Sequence, residues 1–243
     1  MKKVIIIGAT SGIGLELAKL FVQNGDKVGV TGRRCNLLEQ LKLEFPYNVE
    51  TECFDVTGTE NMLHLESLIK KLDGLDVLIY NSGYGEVSRD LNWEIDKQTT
   101  LTNVNGFVEI VNYTFNYYVK KSYGHIAATS SIASIIPARQ APAYNASKSF
   151  MSMYMAGLYL KAARIKKKRP GIDITITDIQ PGFVKTKMTK GVKRFWEAPV
   201  EKAAIQIFNA IKKKKRKVYI TKRWAIIAWL LQRIPFFILK KLE

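Results

Sequence analysis

Short runs of β-branched and aliphatic residues alternate with longer stretches of helical period along almost the whole chain. The runs at 3–7, 27–31, 49–53, 75–80, 125–130, 172–178 and 217–221 read as strands. Between them, 13–24, 35–44, 59–72, 94–121, 142–166 and 199–213 repeat apolar residues at three- and four-residue spacing and read as helices. Mostly apolar strands, each followed by a helix, are the mark of a parallel sheet covered on both faces. The pattern therefore predicts an α/β chain built on a doubly wound parallel sheet of about seven strands. No repeat and no Gly/Ser/Pro-rich linker interrupts it. Residues 1–221 are expected to form one domain, with 222–243 as an apolar and basic C-terminal tail.

At 243 residues, 47 % apolar and 11 % aromatic, the chain has the surface for a packed core, which excludes disorder as its main state. Two cysteines, Cys35 and Cys53, are too few for a disulfide framework, and His64 and His125 too few for a histidine metal cluster. Both pairs are expected to be ordinary structural residues in a reducing, cytoplasmic setting. Charge changes the picture more. Lys plus Arg number 38 against 21 Asp plus Glu, a formal +17, which favours anionic partners. Single-stranded nucleic acid would call for aromatics interleaved with the cations. The run Lys212 to Lys217 has none, so no specific nucleic-acid partner is expected. The opening Met1-Lys2-Lys3 followed by Val4 to Ile7 mimics a signal sequence, but its apolar run stops at Gly8 and reads as a strand.

The first strand runs into Gly8-Ala9-Thr10-Ser11-Gly12-Ile13-Gly14, followed by Leu15, Leu17, Ala18 and Phe21 at helical spacing. Glycines at a strand-to-helix turn let the backbone approach a pyrophosphate, and the helix N-terminus presents amide donors to it. The spacing is GxxxGxG rather than GxGxxG, and the same glycines also serve tight helix-on-strand packing. The end of the second strand separates two dinucleotides. An acid there would take the ribose hydroxyls of NAD. Thr31-Gly32-Arg33-Arg34 has none, and arginine forks suit a 2′-phosphate. NADP(H) is the expected cofactor, with a pair of solvated loop charges as the competing reading.

Tyr144-Asn145-Ala146-Ser147-Lys148 sets a tyrosine and a lysine on one helix face. The spacing alone means little, since Tyr117 and Lys121 share it. Ser130-Ser131, closing an apolar strand shortly before Tyr144, makes the difference; the matching position before Tyr117 is Val104.

With these motifs in order, the chain resembles the short-chain dehydrogenase/reductases, in their compact single-domain branch, over nearly all of residues 1–221. The resemblance implies a Rossmann-type fold and a set of roles. Gly8, Gly12 and Gly14, with Thr10, Ser11 and Ile13 between them, would form the cofactor loop. Asp55 and Val56 would lie at the adenine. Asn81-Ser82-Gly83 would be the turn after the fourth strand, with Ser where the family has Ala. Pro181, Gly182, Val184 and Thr186 would form the nicotinamide-side loop. Asn103, Ser131, Tyr144 and Lys148 match the catalytic set, and Tyr144 and Lys148 would also contact the cofactor. A lysine ammonium ~5 Å from a phenol, at effective dielectric ~20, is worth about 3 kcal/mol toward ionising it. That charge would ready Tyr144 as proton donor and acceptor, while Lys148 holds the nicotinamide ribose. Ser131 would hydrogen-bond the substrate oxygen where charge develops, and Asn103 would hold a water linking Lys148 to solvent. Ser130, adjoining Ser131 on a strand, is expected to face the other side and bond backbone. Asn105, two residues past Asn103, is expected to point elsewhere.

Phe183, Met188, Phe195 and Trp196, with Ile135, Ile136 and Tyr84 on other loops, point to an apolar carbonyl or alcohol substrate, or else to lid-to-core packing. The implied function is an NADP(H)-dependent oxidoreductase interconverting an apolar ketone and a secondary alcohol by hydride transfer. The alternative is a noncatalytic NADP-binding sensor or scaffold, which has no need of all four polar groups. The family's habit implies a homodimer through the helices at 94–121 and 142–166, with Met151, Met155, Leu158 and Tyr159 as apolar surface. In the tail, the apolar run Trp224 to Leu231 would be ~12 Å long as helix, too short to span a bilayer. Leaving it in water costs ~25 cal/mol per Å². It is therefore expected on an anionic cytoplasmic membrane face, on a second subunit, or over the substrate entrance, with Lys222, Arg223 and the 212–217 run favouring lipid.

Overall fold

The structure, a computed structural model, describes residues 1–185 and 195–242. Its seven strands are β1 (Lys3–Ile7), β2 (Lys27–Gly32), β3 (Val49–Cys53), β4 (Val77–Tyr80), β5 (Tyr123–Thr129), β6 (Asp173–Pro181) and β7 (Lys217–Ile220). They form one sheet in the order β3-β2-β1-β4-β5-β6-β7, every neighbouring pair parallel. The helices are α1 (Gly12–Gln23), α2 (Cys35–Glu44), α3 (Asn61–Lys71), α4 (Trp93–Thr100), α5 (Gly106–Lys121), α6 (Pro142–Lys168), α7 (Val200–Lys212), α8 (Trp224–Leu231) and α9 (Phe236–Leu242). The expected doubly wound sheet is present. The helix read at 94–121 is interrupted by a π-helical turn, Leu101–Asn105, between α4 and α5.

Successive residues of a strand face opposite sides, so a sheet covered on both faces needs apolar residues at consecutive positions. Val4 and Ile6 pack with Leu17 and Phe21 of α1 and Ile207 of α7. Ile5 and Ile7 pack on the other face with Leu65 and Leu68 of α3, Phe107 of α5 and Met151 and Met155 of α6. This corrects the surface assigned to pairing: Met151, Met155 and Leu158 are 0, 1 and 8 % exposed and belong to the core. The outward apolar residues of α6 are Phe150, Met153, Tyr159 and Leu160. Helices run 3.6 residues per turn, and which stripe meets the sheet depends on where the helix lands.

A second correction concerns the cysteines. Cys35 at the start of α2 and Cys53 at the end of β3 are joined in a disulfide, Cα atoms 5.3 Å apart. Pairing of β2 with β3, which sets Gly32 against Cys53, brings together residues 18 apart in sequence. The bridge gives no support to a reducing setting. Closing a loop of that size restricts the unfolded chain by ~3 kcal/mol in the chain-entropy account. Dithiothreitol is therefore expected to lower the thermal midpoint by roughly 6–10 °C, and the Cys35→Ser/Cys53→Ser variant to be indifferent to it. A wild-type midpoint unmoved by the reductant would remove the bridge.

The tail is not detached. Trp224 and Ala228 of α8 are buried in a small cluster with Ile132, flanked by Ile135, Phe183, Tyr219 and Ile227. This inner face packs on its own domain.

Candidate active site

The order of the sheet reverses between β1 and β4, and the loops leaving their carboxyl ends frame a crevice where such sheets bind ligands. Gly8 and Gly12 have left-handed φ of +85° and +59°. A Cβ on Gly8 would stand 2.8 Å from the Ser82 backbone, so the turn cannot accept a larger residue there without moving. The Gly8 and Ala9 amides both donate to Thr31 O, at 3.1 and 2.8 Å, fastening the loop to β2. Asn81 Nδ2 donates to Gly8 O and Asn81 Oδ1 accepts from Thr129 Oγ1, each at 3.1 Å, tying the loop to β4 and β5. Ser11 precedes α1 without a side-chain capping bond, so its side chain does not occupy the first-turn amides of the helix.

Two guanidiniums close the crevice at the end of β2. Arg34 donates to Thr10 Oγ1 and, at 2.8 Å, to Ser11 Oγ; Arg33 lies 3.4 Å from Asp55, which also accepts the Thr57 amide. Val56 is buried beside it. The glycine turn, the uncapped helix end and the two arginines fit a dinucleotide diphosphate with one further phosphate beside the ribose.

Downstream of the crevice, Asn103 sits on the π-helical turn and is fully buried. Its Oδ1 accepts the Tyr84 amide at 2.9 Å, and its Nδ2 donates to Tyr84 O at 2.7 Å and Ser147 Oγ at 2.9 Å. Asn103 thus holds the segment after Gly83 against α6, while Asn105 is exposed, as expected. Such one-turn widenings often occur where a helix must re-aim a functional side chain. Ser131 begins the short 3-10 turn Ile132–Ser134, its Oγ accepting the Ala133 amide at 3.1 Å. The first turns of α6 dock onto the segment that follows: Asn145 donates to Ile136 O and Ser149 to Ser134 O, both at 2.7 Å. This carries Tyr144 and Lys148 to the end of β5. Lys148 Nζ donates to Thr129 O at 3.0 Å and lies 5.8 Å from the centre of the Tyr144 ring. Burial pushes the Lys148 ammonium down to about 8, opposed by the negative charge of Asp178.

Two residues of this neighbourhood escaped the sequence reading. Gly85 packs so closely on the Tyr144 ring that any Cβ would collide with it; the second glycine of Gly83-Tyr84-Gly85 was the available signal. Asp178 is buried on β6 and accepts from Ser130, Ser152 and Gln180; a carboxylate inside an apolar strand was its signal. Ser130 therefore faces away from Ser131 as expected, but bonds this carboxylate as well as Ile179 O. Trp224, first residue of the apolar tail run, lies across Gly182 and meets the Phe183 ring edge-on at 5.4 Å. Pro181 ends β6, and Val184 pairs with Ala198 in an isolated bridge. Thr186 and Met188 lie outside the described residues. Phe195 and Trp196 are exposed and stacked on each other rather than on the core.

Comparison with known proteins agrees with this geometry. The family model described as short chain dehydrogenase matches residues 2–196. An uncharacterized oxidoreductase of Myxococcus xanthus is 31 % identical over 191 residues, 76 % of this chain and 73 % of that one. An NADP-dependent 3-hydroxy acid dehydrogenase of Salmonella typhi is 32 % identical over 189 residues, 74 % of this chain and 72 % of that one. Among solved structures, a short-chain dehydrogenase from Sphingobium yanoikuyae in complex with NADPH superposes with TM-score 0.80 at 18 % identity, covering 97 % of each chain. One from Streptomyces avermitilis gives 0.79 at 20 % identity over 96 % of this chain and 92 % of that one. Sheet order, glycine turn and family match converge, and the chain belongs to the short-chain dehydrogenase family of oxidoreductases.

Proposed function

We propose that this protein is an NADP(H)-dependent oxidoreductase interconverting a ketone and a secondary alcohol with an apolar body. The observation that carries it is a buried lysine set 5.8 Å from the Tyr144 ring beside a glycine turn flanked by two arginines. NADP(H), when bound, supplies or accepts the hydride. The turn from Gly8 to Gly14 holds the diphosphate, Arg33 and Arg34 the 2′-phosphate, and Asp55 and Val56 the adenine side. Asn81, Ser82, Gly83, Pro181, Gly182 and Val184 border the nicotinamide half. Tyr144 Oη gives its proton to the carbonyl oxygen in reduction and takes it from the alcohol in oxidation. The Lys148 ammonium favours the ionised phenol and holds the ribose. Ser131 Oγ donates to the reacting oxygen, and Asn103 Oδ1, beyond its Tyr84 contact, holds a water toward Lys148. The partly exposed Ile135 and Phe183, packed beside the buried Ile132 and Trp224, support the apolar body.

A second reading has its own observation. A cleft of about 70 Å³ touching Tyr144 is lined by Arg89 and Arg139 along with Glu86, Asp90 and Asp96. The likeness to a 3-hydroxy acid dehydrogenase favours a substrate bearing a carboxylate, with Arg89 or Arg139 as its partner. The test is NADPH oxidation against apolar ketones, aldehydes and 3-oxo acids, with NADH in parallel. Turnover of apolar ketones supports the first reading and of 3-oxo acids alone the second. NADPH binding without turnover of any class would leave the sensor alternative.

NADPH affinity is expected to track the Lys148 proton. A group with pKa about 8 is mostly charged at pH 7 and mostly neutral at pH 9. The NADPH Kd should therefore rise about tenfold between those values. Asp178→Asn removes the charge that supports the ammonium, so its break in Kd should come at lower pH; an unmoved break would contradict the coupling. We also propose pairing into a homodimer through the α5–α6 face, now with Phe150, Met153 and Leu160 outermost. Light scattering should give twice the chain mass, reverting to one chain mass in Met153→Glu/Leu160→Glu; a monomeric wild type refutes it.

A further inference from the structure

The two faces of α8 are unlike. Trp224 and Ala228 turn inward over the active site, whereas Ile226, Trp229 and Leu230 are 68, 54 and 50 % exposed. Phe237 and Ile238 of α9 are exposed as well. At the other end of α8, Arg223 donates to Trp196 O and lies 4.8 Å from the Trp196 ring, on which the exposed Phe195 stacks. Large apolar side chains gathered on one surface usually mark a place of contact.

A cavity of about 610 Å³ adjoins the start of α8, between α7 and β7. Lys202, Lys213, Lys215, Lys222 and Arg223 line it, and among the described residues its wall contains no carboxylate. None of these five cations forms an ion pair among the described residues, although other lysines do. Cations without an ion-pair partner, gathered around one cavity, make a receptor for phosphate oxygens.

We propose that this surface docks on an anionic lipid bilayer. The cavity receives phosphate headgroups, while Ile226, Trp229, Leu230 and Phe237 enter the boundary between headgroups and acyl chains. Basic residues beside an exposed apolar helical face, with Trp at the level of the headgroups, form an interfacial anchor lying in the membrane plane. Among the described residues no helix is long and apolar enough to cross a membrane. Arg233, with its guanidinium 4.0 Å from the Trp229 ring, adds a cation at the same level. Charge selects lipid over a second copy of the chain, since symmetric pairing through this face would set its cations against their own images.

The test is sedimentation of the full chain with vesicles of phosphatidylcholine alone and of phosphatidylcholine mixed with phosphatidylglycerol, at low and high salt. Partition onto the anionic vesicles is expected to be at least tenfold stronger and to weaken with salt. Lys213→Gln/Lys215→Gln/Lys222→Gln should lose at least tenfold of it, and so should Trp229→Glu, each with NADPH affinity and thermal midpoint unchanged. Should Trp229→Glu misfold, Ile226→Glu takes its place. Lys42→Gln/Lys70→Gln/Lys71→Gln, on α2 and α3 beside β3 at the opposite edge of the sheet from β7, should bind as wild type. Four outcomes would overturn the proposal: no wild-type binding, equal binding to both vesicles, equal loss in the α2–α3 variant, or a dimer in light scattering that Trp229→Glu dissociates. NADPH oxidation without vesicles is read separately, so failure here leaves the oxidoreductase reading standing.

Discussion

Tyr144→Phe is expected to lower kcat by 10²–10⁴-fold while leaving the NADPH Kd within about threefold of wild type. The substitution removes one oxygen and keeps the ring that packs against Gly85. What is lost is the proton that must move as the carbonyl becomes an alcohol, not the shape of the site. Lys148→Ala should behave differently and lower both kcat and NADPH affinity, because its buried ammonium acts on the phenol and on the ribose. Gly85→Ala supplies an independent geometric check. A methyl group there collides with the ring and must displace Tyr144, so kcat should fall with Kd retained. Stopped-flow single turnovers with NADPH measure the chemical step in all three. A Tyr144→Phe enzyme turning over near the wild-type rate would exclude Tyr144 as the proton carrier.

Arg33→Ala is expected to raise the NADPH Kd by about 10- to 100-fold and the NADH Kd by less than about threefold. A hydrogen bond to a charged group is worth ~1.5–3 kcal/mol, and the 2′-phosphate is the only group by which the two cofactors differ. Arg33 is the freer of the two arginines, its ion pair to Asp55, the one it makes among the described residues, being long at 3.4 Å and substantially exposed. Arg34 is bonded to Thr10 and Ser11 of the glycine turn. Its replacement should therefore loosen the turn as well as remove a contact to the 2′-phosphate, weakening NADH binding too and NADPH binding more. Fluorescence titration of both cofactors on both variants separates a ligand of the phosphate alone from one that also braces the loop. Equal affinities of the wild type for NADPH and NADH would refute the assignment.

The sequence by itself determined the sheet. Strands buried on both faces must be apolar at consecutive positions, and that demand is visible in Val4 to Ile7 or Val77 to Tyr80 without any coordinates. It also located the glycine turn, because φ values of +85° and +59° are sites where a side chain is costly. Tyr144 and Lys148 were legible because a helix places residues four apart on one side. Only the tertiary structure decided what depends on distant segments meeting. Parallel pairing of β2 with β3 joined Cys35 to Cys53. The landing angle of α6 turned Met151 and Met155 into the core instead of toward a partner. The π-helical turn set Asn103 against Tyr84, and adjacency of β5 to β6 brought Asp178 to Ser130. The return of α8 laid Trp224 on Gly182. Periodicity reports which side of an element is apolar, a local property of the chain. It carries no record of what that side touches, which is fixed by packing between elements far apart in sequence.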